Sequence, residues 1–362
     1  MTPAGRGAVA TIALIGDCAI VDGNCDARLF KAANGRKIGE QEINRTCFGT
    51  WDTEDIVVCR VDTNWLEIHC HGGDAAVSRI LSDLESAGCQ IVSWQEALGE
   101  QGGAFEVEMA EAITKATTRR TAGYLIRQKT TFEPAIKRLL DVEDTDKLHA
   151  EIAETLKWVK FARHLTQPWQ IVLAGRPNVG KSSLINQLVG FERAIVFDEP
   201  GTTRDVVSAE TALDGWPVCF SDTAGIRDSA AELEATGIEL ARDRLTAADC
   251  QVLVLDVSES PTADDDLLLS SYPESLVVAN KDDLPDQWKD HVPQNAIRVS
   301  AVNGTGINQL VAAIVSKIIP ELPSKDQPLP LVARHIRCLE GAQTASSKAE
   351  IHRSIRQILS LT

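Results

Sequence analysis

Residues 171–182 read IVLAGRPNVGKS, and this stretch decides the fold of the middle of the chain. A strand-sized apolar run leads into the pattern GxxxxGKS, whose fixed positions are Gly175, Gly180, Lys181 and Ser182. Glycines let the backbone wrap closely around phosphates, so that successive amide N–H groups point at the anion. The lysine adds a positive charge at the β- and γ-phosphates, and the serine hydroxyl suits Mg²⁺. The stretch therefore predicts a phosphate-binding loop between a buried strand and a helix.

A second motif follows the loop. Residues 216–225, WPVCFSDTAG, predict a strand that ends in Asp222, Thr223, Ala224 and Gly225. A carboxylate at this point can hold Mg²⁺ through water, and the glycine amide can meet the γ-phosphate. Between the two motifs lies the polar stretch GTTRD, residues 201–205, which is suited to be a switch loop.

The remaining motifs indicate which base is bound. The strand SLVVA is followed by Asn280, Lys281 and Asp283 in the pattern NKxD, and VSA occupies 299–301. Asp283 can accept two hydrogen bonds from guanine, from N1 and from the exocyclic amino group, whereas adenine has no donor at N1. The four motifs in this order predict a GTP-binding domain.

Composition and charge describe an ordinary globular chain. It has 362 residues, of which 44% are hydrophobic and 24% charged, and its formal net charge is −16. These values exclude disordered, collagenous and coiled-coil proteins, and no apolar run is long enough to span a membrane. The N-terminal residues lack a signal-peptide pattern and the nine cysteines form no CxxC pair. We therefore expect a cytoplasmic protein with reduced thiols.

The order of predicted elements indicates a multidomain protein of α/β and α class. Residues 1–104 predict a small α+β domain, with strands near 8–14, 38–46, 55–61, 64–69 and 90–94 and a helix near 74–87. Residues 105–167 and 323–362 predict two parts of one helical domain. Between them, residues 168–322 alternate strands and helices, as in a doubly wound parallel sheet. The P-loop domain is thus expected to be inserted in a helical domain.

Basic residues are concentrated in the two helical segments. Residues 105–167 carry 11 basic and 10 acidic groups and residues 325–362 carry 6 and 3, whereas the other segments are acidic. If the protein contacts RNA, these segments should neutralise its phosphates. The alternative interpretation is that they are solvated helix faces, which are commonly rich in lysine and arginine.

The motifs resemble those of translation-factor-type GTPases and, more narrowly, those of the tRNA-modification GTPase family MnmE (TrmE). The resemblance is carried by GRPNVGKSSLINQL, GTTRD, DTAGIRD and LEATGIELA within 170–250, and more weakly by TPAGRGAV, LEIHCHGG and VARH. It implies that residues 1–104 form a dimerising domain, so that the protein is a homodimer. It also implies GTP hydrolysis in the modification of the tRNA wobble uridine, together with a flavin-dependent partner protein.

The resemblance also implies how GTP is hydrolysed. Ras-like GTPases orient the attacking water with a glutamine directly after the DxxG glycine, but this chain has Ile226 there. In the family a glutamate twelve residues past the DxxG aspartate takes that role, and it corresponds to Glu234. Without the resemblance, Glu234 would be interpreted as an exposed helix residue.

Two cations follow from the resemblance. Mg²⁺ would be held by Ser182 and Thr203. K⁺ would take the place of an arginine finger, bound by Asn178, Phe197, Glu199 and Thr202. Together, motifs and resemblance predict a nucleotide site made of Gly175, Asn178, Val179, Gly180, Lys181, Ser182, Ser183, Thr202, Thr203, Asp222, Thr223, Ala224, Gly225, Asn280, Lys281, Asp283, Ser300 and Ala301.

The chain departs from the family pattern at two places. Ala13 stands where the family has a folate-contacting arginine, although Glu67 is kept, and the chain ends in RQILSLT without the family's cysteine motif. These departures argue against folate as a cofactor. They leave two alternatives open: a regulatory GTPase switch without the modification chemistry, and a nucleotide-dependent interaction module that does not hydrolyse GTP.

Overall fold

The computed structural model describes residues 8–23, 28–191, 208–222 and 245–359. It divides the chain into two compact units, Met1–Gln101 and Gly102–Thr362. The predicted division of the chain into four parts remains a prediction, because the second unit is not divided further.

The first unit is built on an antiparallel sheet with the strand order β1-β5-β4-β3-β2. Its elements are β1 (Val9–Ile15), β2 (Phe30–Ala32), β3 (Thr46–Trp51), β4 (Glu54–Asp62), β5 (Trp65–His71) and α1 (Asp74–Ser86). Alternate side chains of β5, Leu66, Ile68 and Cys70, are buried in the core of this unit, as expected for a sheet with one covered face.

The strand predicted at 38–46 is wrong. Residues Ile38–Glu40 form a 3-10 helix, and the next strand begins only at Thr46. Both carboxylate oxygens of Asp22 accept from the Ile38 amide at 3.0 Å, and the Ile38 side chain is buried in the core. The Ile38 amide therefore donates to the Asp22 side chain and not to a neighbouring strand.

The strand predicted at 90–94 is also wrong. The segment pairs with no strand in the described part of the chain, and α2 (Trp94–Thr114) begins at its end. The Ser93 amide donates to the Glu96 carboxylate at 2.7 Å, and the Glu96 amide donates to the Ser93 hydroxyl at 3.2 Å. This reciprocal pair is a capping box, which starts a helix.

Helices from both ends of the second unit pack together. They are α2, which is interrupted at Gly103, α3 (Arg119–Leu139), α4 (Thr145–Leu156), α5 (Val159–Arg163), α9 (Ala333–Thr344) and α10 (Lys348–Ile358). The His335 ring of α9 stacks on Phe132 of α3, with ring centroids 4.8 Å apart. The Gln128 side chain donates to the Gln327 carbonyl at 3.1 Å and accepts from the Leu329 amide at 2.9 Å.

Between these helices in the chain lies a six-stranded sheet with the order β11-β10-β9-β6-β8-β7. Its elements are β6 (Trp169–Ala174), α6 (Lys181–Phe191), β7 (Ser208–Leu213), β8 (Trp216–Asp222), β9 (Cys250–Asp256), α7 (Ala263–Ser271), β10 (Leu276–Asn280), β11 (Ile297–Arg298) and α8 (Ile307–Ile318). The pairs β11-β10, β10-β9, β9-β6 and β6-β8 are parallel, as predicted.

One edge of this sheet differs from the all-parallel prediction. Strand β7 is antiparallel to β8, because the two are joined by a two-residue turn. Asp214 and Gly215 have φ values of 48° and 75°, the left-handed conformation that such hairpin turns require. The structure thus closes this edge with a hairpin.

The helical part is attached to the sheet through Asp249, directly before β9. Its carboxylate accepts from the Gln170 amide at 2.9 Å and lies 3.3 Å from His164 Nε2 and 3.1 Å from Lys160 Nζ. Burial raises the pKa of Asp249, but the hydrogen bonds from His164 and Gln170 outweigh it and lower the pKa to about 2. The charged carboxylate therefore joins α5, β6 and β9.

No helix within the described ranges combines the length and the apolar character needed to cross a bilayer.

We expect Glu108→Gln to destabilise the second unit. Arg334 donates to both Glu108 oxygens at 2.7 and 2.6 Å, and His335 Nε2 lies 3.1 Å away. Losing this half-buried charge should lower the free energy of unfolding by about 2 kcal/mol at pH 7, measured by urea unfolding. Glu143→Gln is the control, because its exposed pair with Lys348 should contribute little.

The difference in free energy of unfolding between the original chain and Glu108→Gln should depend on pH. Burial raises the pKa of Glu108, but hydrogen bonds from Arg334 and His335 bring it down from 4.5 to about 2. The stabilisation is therefore complete above pH 4.5 and is lost as the pH falls from 4.5 towards 2. The difference between the original chain and Glu108→Gln should narrow over that range; a difference that is constant with pH would contradict this role.

Candidate nucleotide site

The carboxyl ends of the parallel strands meet at one edge of the sheet. Across β6 and β8, Leu173 pairs with Asp222, and across β9 and β10, Asp256 pairs with Asn280. Ligands of open α/β sheets bind at this edge. The fold therefore brings together motifs that are far apart in the sequence.

The loop between β6 and α6 requires glycine at its two ends. A Cβ on Gly175 would lie 2.4 Å from the Val254 carbonyl oxygen, and one on Gly180 would lie 2.4 Å from the Asn280 side-chain nitrogen. Gly180 also has a φ of 92°, which side-chain-bearing residues rarely adopt. Both glycines are needed for packing of the loop against its own domain, in addition to any approach by phosphate.

Lys181 lies under the loop and is 4% exposed. Its ammonium donates to the carbonyls of Gly175 at 3.1 Å and Arg176 at 3.0 Å, and lies 3.7 Å from a carboxylate oxygen of Asp222. The Ser182 hydroxyl donates to the other Asp222 oxygen at 3.4 Å. The lysine, the serine and the aspartate predicted from two motifs are thus neighbours, with hydroxyl and carboxylate oxygens suited to Mg²⁺.

Asn280 joins the phosphate loop to the segment after β11, which is predicted to contact the base. Its side-chain nitrogen donates to the Val179 carbonyl at 2.8 Å, and its side-chain oxygen accepts from the Ala301 amide at 3.2 Å. Asn280 is 1% exposed, so its amide acts as an internal brace between the two segments.

Asp283 and Ser300, the residues predicted to lie near the base, are hydrogen-bonded to each other. The Ser300 hydroxyl donates to Asp283 Oδ1 at 2.6 Å and accepts from the amides of Val302 and Asn303 at 3.3 Å. Asp283 itself is exposed. The carboxylate is therefore oriented by a serine whose own lone pairs are used by the backbone, while its outer face is open to a ligand.

The sequence motifs did not identify Asp256 as part of this site. Its buried carboxylate lies 2.5 Å from Lys281 Nζ and accepts from the Ser258 hydroxyl at 2.6 Å. Burial raises the pKa of Asp256, but the bonds from Lys281 and Ser258 outweigh it, so the net shift is downward. The strand CQVLVLD ends in this aspartate, the same pattern that singled out Asp222, so a signal was present in the sequence.

Part of the predicted site lies outside the described residues. This part comprises Phe197, Glu199, Thr202, Thr203, Thr223, Ala224, Gly225 and Glu234. Of the predicted Mg²⁺ ligands the structure describes Ser182, and of the predicted K⁺ ligands it describes Asn178, which has a φ of 65°. Ser183 lies in the first turn of α6. The roles of all these residues stay predictions.

The sequence is similar to those of known GTPases. Residues 170–281 match the family model described as 50S ribosome-binding GTPase. Over 400 residues, the chain is 30% identical to tRNA modification GTPase MnmE of Levilactobacillus brevis, an alignment that covers 95% of this chain and 86% of the relative. The chain belongs to the MnmE family.

Other similarities set the extent of the match. The MnmE of Prochlorococcus marinus is 36% identical over 300 residues, covering 69% of this chain and 63% of the relative. Thus the chain spans less than two thirds of the length of this relative. A solved structure of Era from Aquifex aeolicus is 26% identical, with a TM-score of 0.33, and the match covers 50% of this chain and 69% of that chain.

We expect Asn280→Ala to weaken GDP binding on the order of tenfold or more, because it leaves the buried Val179 carbonyl and Ala301 amide without partners. Isothermal titration calorimetry measures the change. Asn308→Ala, an exposed position on α8, is the control and should bind GDP like the original chain. Equal affinities of the two variants would contradict the role of Asn280 as a brace.

Proposed function

We propose that this protein binds and hydrolyses GTP and that the cycle serves modification of the tRNA wobble uridine. The observation that carries the proposal is the Asn280 brace, which sets the phosphate loop and the guanine-recognition segment at a fixed separation. Membership of the MnmE family supports the pathway. The relatives are named tRNA modification GTPases, and we extend that activity to this chain.

Each group of described residues has its own role in binding GTP. The amides of the glycine loop bind phosphate oxygens, and Lys181 leaves the loop carbonyls to pair with the β- and γ-phosphates. Ser182 and Asp222 would hold Mg²⁺ with their hydroxyl and carboxylate oxygens. Mg²⁺ supplies charge neutralisation on the phosphates. Asp283 selects guanine, since an adenine base would leave its carboxylate without donors.

Hydrolysis needs a group that orients water, which Ile226 cannot do. We assign this role to Glu234. Asn178, Thr202 and the carbonyls of Phe197 and Glu199 would hold K⁺, which would supply positive charge beside the phosphates. A cation placed between phosphates acts as a guanidinium does in other GTPases. These assignments rest on family resemblance.

The same proposal includes the domain arrangement, the oligomeric state, the partner protein and the cellular location. The GTPase domain is inserted in a helical domain, an arrangement supported by the packing of α9 and α10 on α3 and α4. The N-terminal domain makes a homodimer, and a flavin-dependent protein is the partner in the modification. The eight cysteines in the described ranges are free thiols, in agreement with the cytoplasm as location.

A second candidate function is a GTPase switch without folate-dependent chemistry. Ala13 of β1 pairs with Glu67 of β5, so a methyl group occupies the strand position where the resemblance expects a folate-contacting arginine. A methyl group cannot donate a hydrogen bond to a folate carboxylate. This observation favours a protein that keeps the GTPase cycle and lacks a folate cofactor.

We expect GTP hydrolysis to be faster in KCl than in NaCl, and Glu234→Ala to abolish it while GTP binding stays unchanged. Phosphate release and a fluorescent GTP analogue measure the two properties. Glu232→Ala, two residues away, is the control and should hydrolyse GTP like the original chain. Tight binding without hydrolysis in either salt would instead support a non-hydrolysing interaction module.

We expect deletion of the gene to remove the modified wobble nucleoside from total tRNA, measured by liquid chromatography and mass spectrometry. Re-expression of the original chain should restore it, and re-expression of Lys181→Ala should not, because the phosphate charge partner is lost. An unchanged nucleoside after deletion would reject the pathway and favour the GTPase switch.

A further inference from the structure

A basic pocket lies where α3 meets the β7–β8 hairpin, away from the nucleotide site. Its volume is about 660 Å³. Its cationic lining consists of Arg119, Arg120, Arg127 and Lys325, and Asp214 is the acidic residue that lines it. The pocket is therefore positively charged in a chain whose net charge is −16.

One of the four cationic side chains already has partners within the protein. Arg120 donates to the Asp214 carboxylate at 2.6 Å, and its guanidinium lies 4.8 Å from the Trp216 ring centre. The Thr118 hydroxyl adds a hydrogen bond to the Gly215 carbonyl at 2.7 Å. These contacts fix the hairpin turn as one wall of the pocket.

The other three cations have no carboxylate within salt-bridge distance among the residues that the structure describes. Arg119 and Lys325 are exposed. Arg127 is half-buried, with its guanidinium 5.9 Å from the Tyr124 ring centre. Their charge is thus available to a ligand.

The position of Arg119 and Arg120 is unfavourable for the helix alone. Both lie in the first turn of α3, which contains no acidic residue. The amino end of a helix carries partial positive charge, so cations there are destabilising and anions are stabilising. An anion in the pocket would remove this repulsion and bond to both the side chains and the helix terminus.

Gly123 keeps the pocket open. It lies one turn from Arg119 and one turn from Arg127, on the same face of α3. A Cβ built on Gly123 meets no atom within 4 Å. Glycine lowers helix stability relative to alanine, and no packing contact of the described residues requires it.

We propose that this pocket binds the phosphodiester backbone of an RNA, through Arg119, Arg127 and Lys325. Long exposed cations around a wide pocket suit a chain of phosphates, because side-chain contacts to phosphates position a nucleic acid without reading its bases. A small anion would call for a narrower, buried set of donors. The inference rests on the proposed function, in which tRNA is the RNA to be bound.

The test is binding of a fluorescently labelled tRNA transcript by the full chain, followed by anisotropy over a range of KCl concentrations. Arg127→Gln with Lys325→Gln should weaken binding on the order of tenfold and reduce the salt slope by about 2, as expected for two lost phosphate contacts. The control is Lys115→Gln with Lys147→Gln, which removes the same charge from exposed positions and should leave both quantities unchanged.

A second pair of variants tests the pocket without removing a cation. Gly123→Glu and Gly123→Gln add side chains of equal size where there is space, and Gly123→Glu should weaken tRNA binding more. GDP affinity should be unchanged in all variants, which checks that they fold.

Equal tRNA binding by the pocket variants and the control would overturn the inference, while the wobble-nucleoside result would still decide the proposed function. Competition by polyglutamate as effective as competition by unlabelled tRNA would also overturn it, because the pocket would then accept any polyanion. Absence of tRNA binding by the original chain at low salt would also overturn the inference.

Discussion

The organisation of the second unit depends on one buried hydrogen-bonded amide, that of Asn280. Its two bonds link the Val179 carbonyl of the phosphate loop to the Ala301 amide of the segment after β11. A side-chain amide is the group that can serve both partners, because it has a donor and an acceptor at a fixed distance. The close approach of Gly180 follows from the same contact, since the space that a Cβ would need is occupied by the Asn280 nitrogen. The glycine at position 180 and the position of the segment after β11 are therefore linked through Asn280.

A second constraint acts in the helical part of this unit, where carboxylates hold the helices in place. Asp249 joins α5 to the sheet, and Glu108 joins α2 to α9. Each has a pKa lowered to about 2 because hydrogen bonds outweigh burial, so each is charged at neutral pH. Such pairs add less stability than the apolar core around them, but they specify which helices meet. The Glu108 pair connects two helices whose bonded residues lie 226 positions apart in the chain.

The sequence predicts the parallel strands of the central sheet and the meeting of Lys181, Ser182 and Asp222 at their carboxyl ends, because the motifs combine a local pattern with a strict chemical requirement. One wrong strand prediction has a tertiary cause, and two other differences have local causes. The apolar residue Ile38 was assigned to a strand, but Asp22, 16 residues earlier, fixes its amide in a 3-10 helix. In the segment 90–94 the deciding signal is local, because Ser93 and Glu96 form the capping box that begins α2. The hairpin at Asp214 and Gly215 was likewise a readable turn signal.

The hairpin has a physical consequence that connects the two ends of the second unit. Strand β8 begins next to the turn held by Arg120 and ends at Asp222, in contact with Ser182. Along its length it is hydrogen-bonded to β6 on one side and β7 on the other. A strand paired on both sides moves as a unit with its neighbours, because sliding it would break a ladder of hydrogen bonds at once. The Arg120–Asp214 pair therefore ties α3 to the hairpin at the start of the strand that carries Asp222 at its other end.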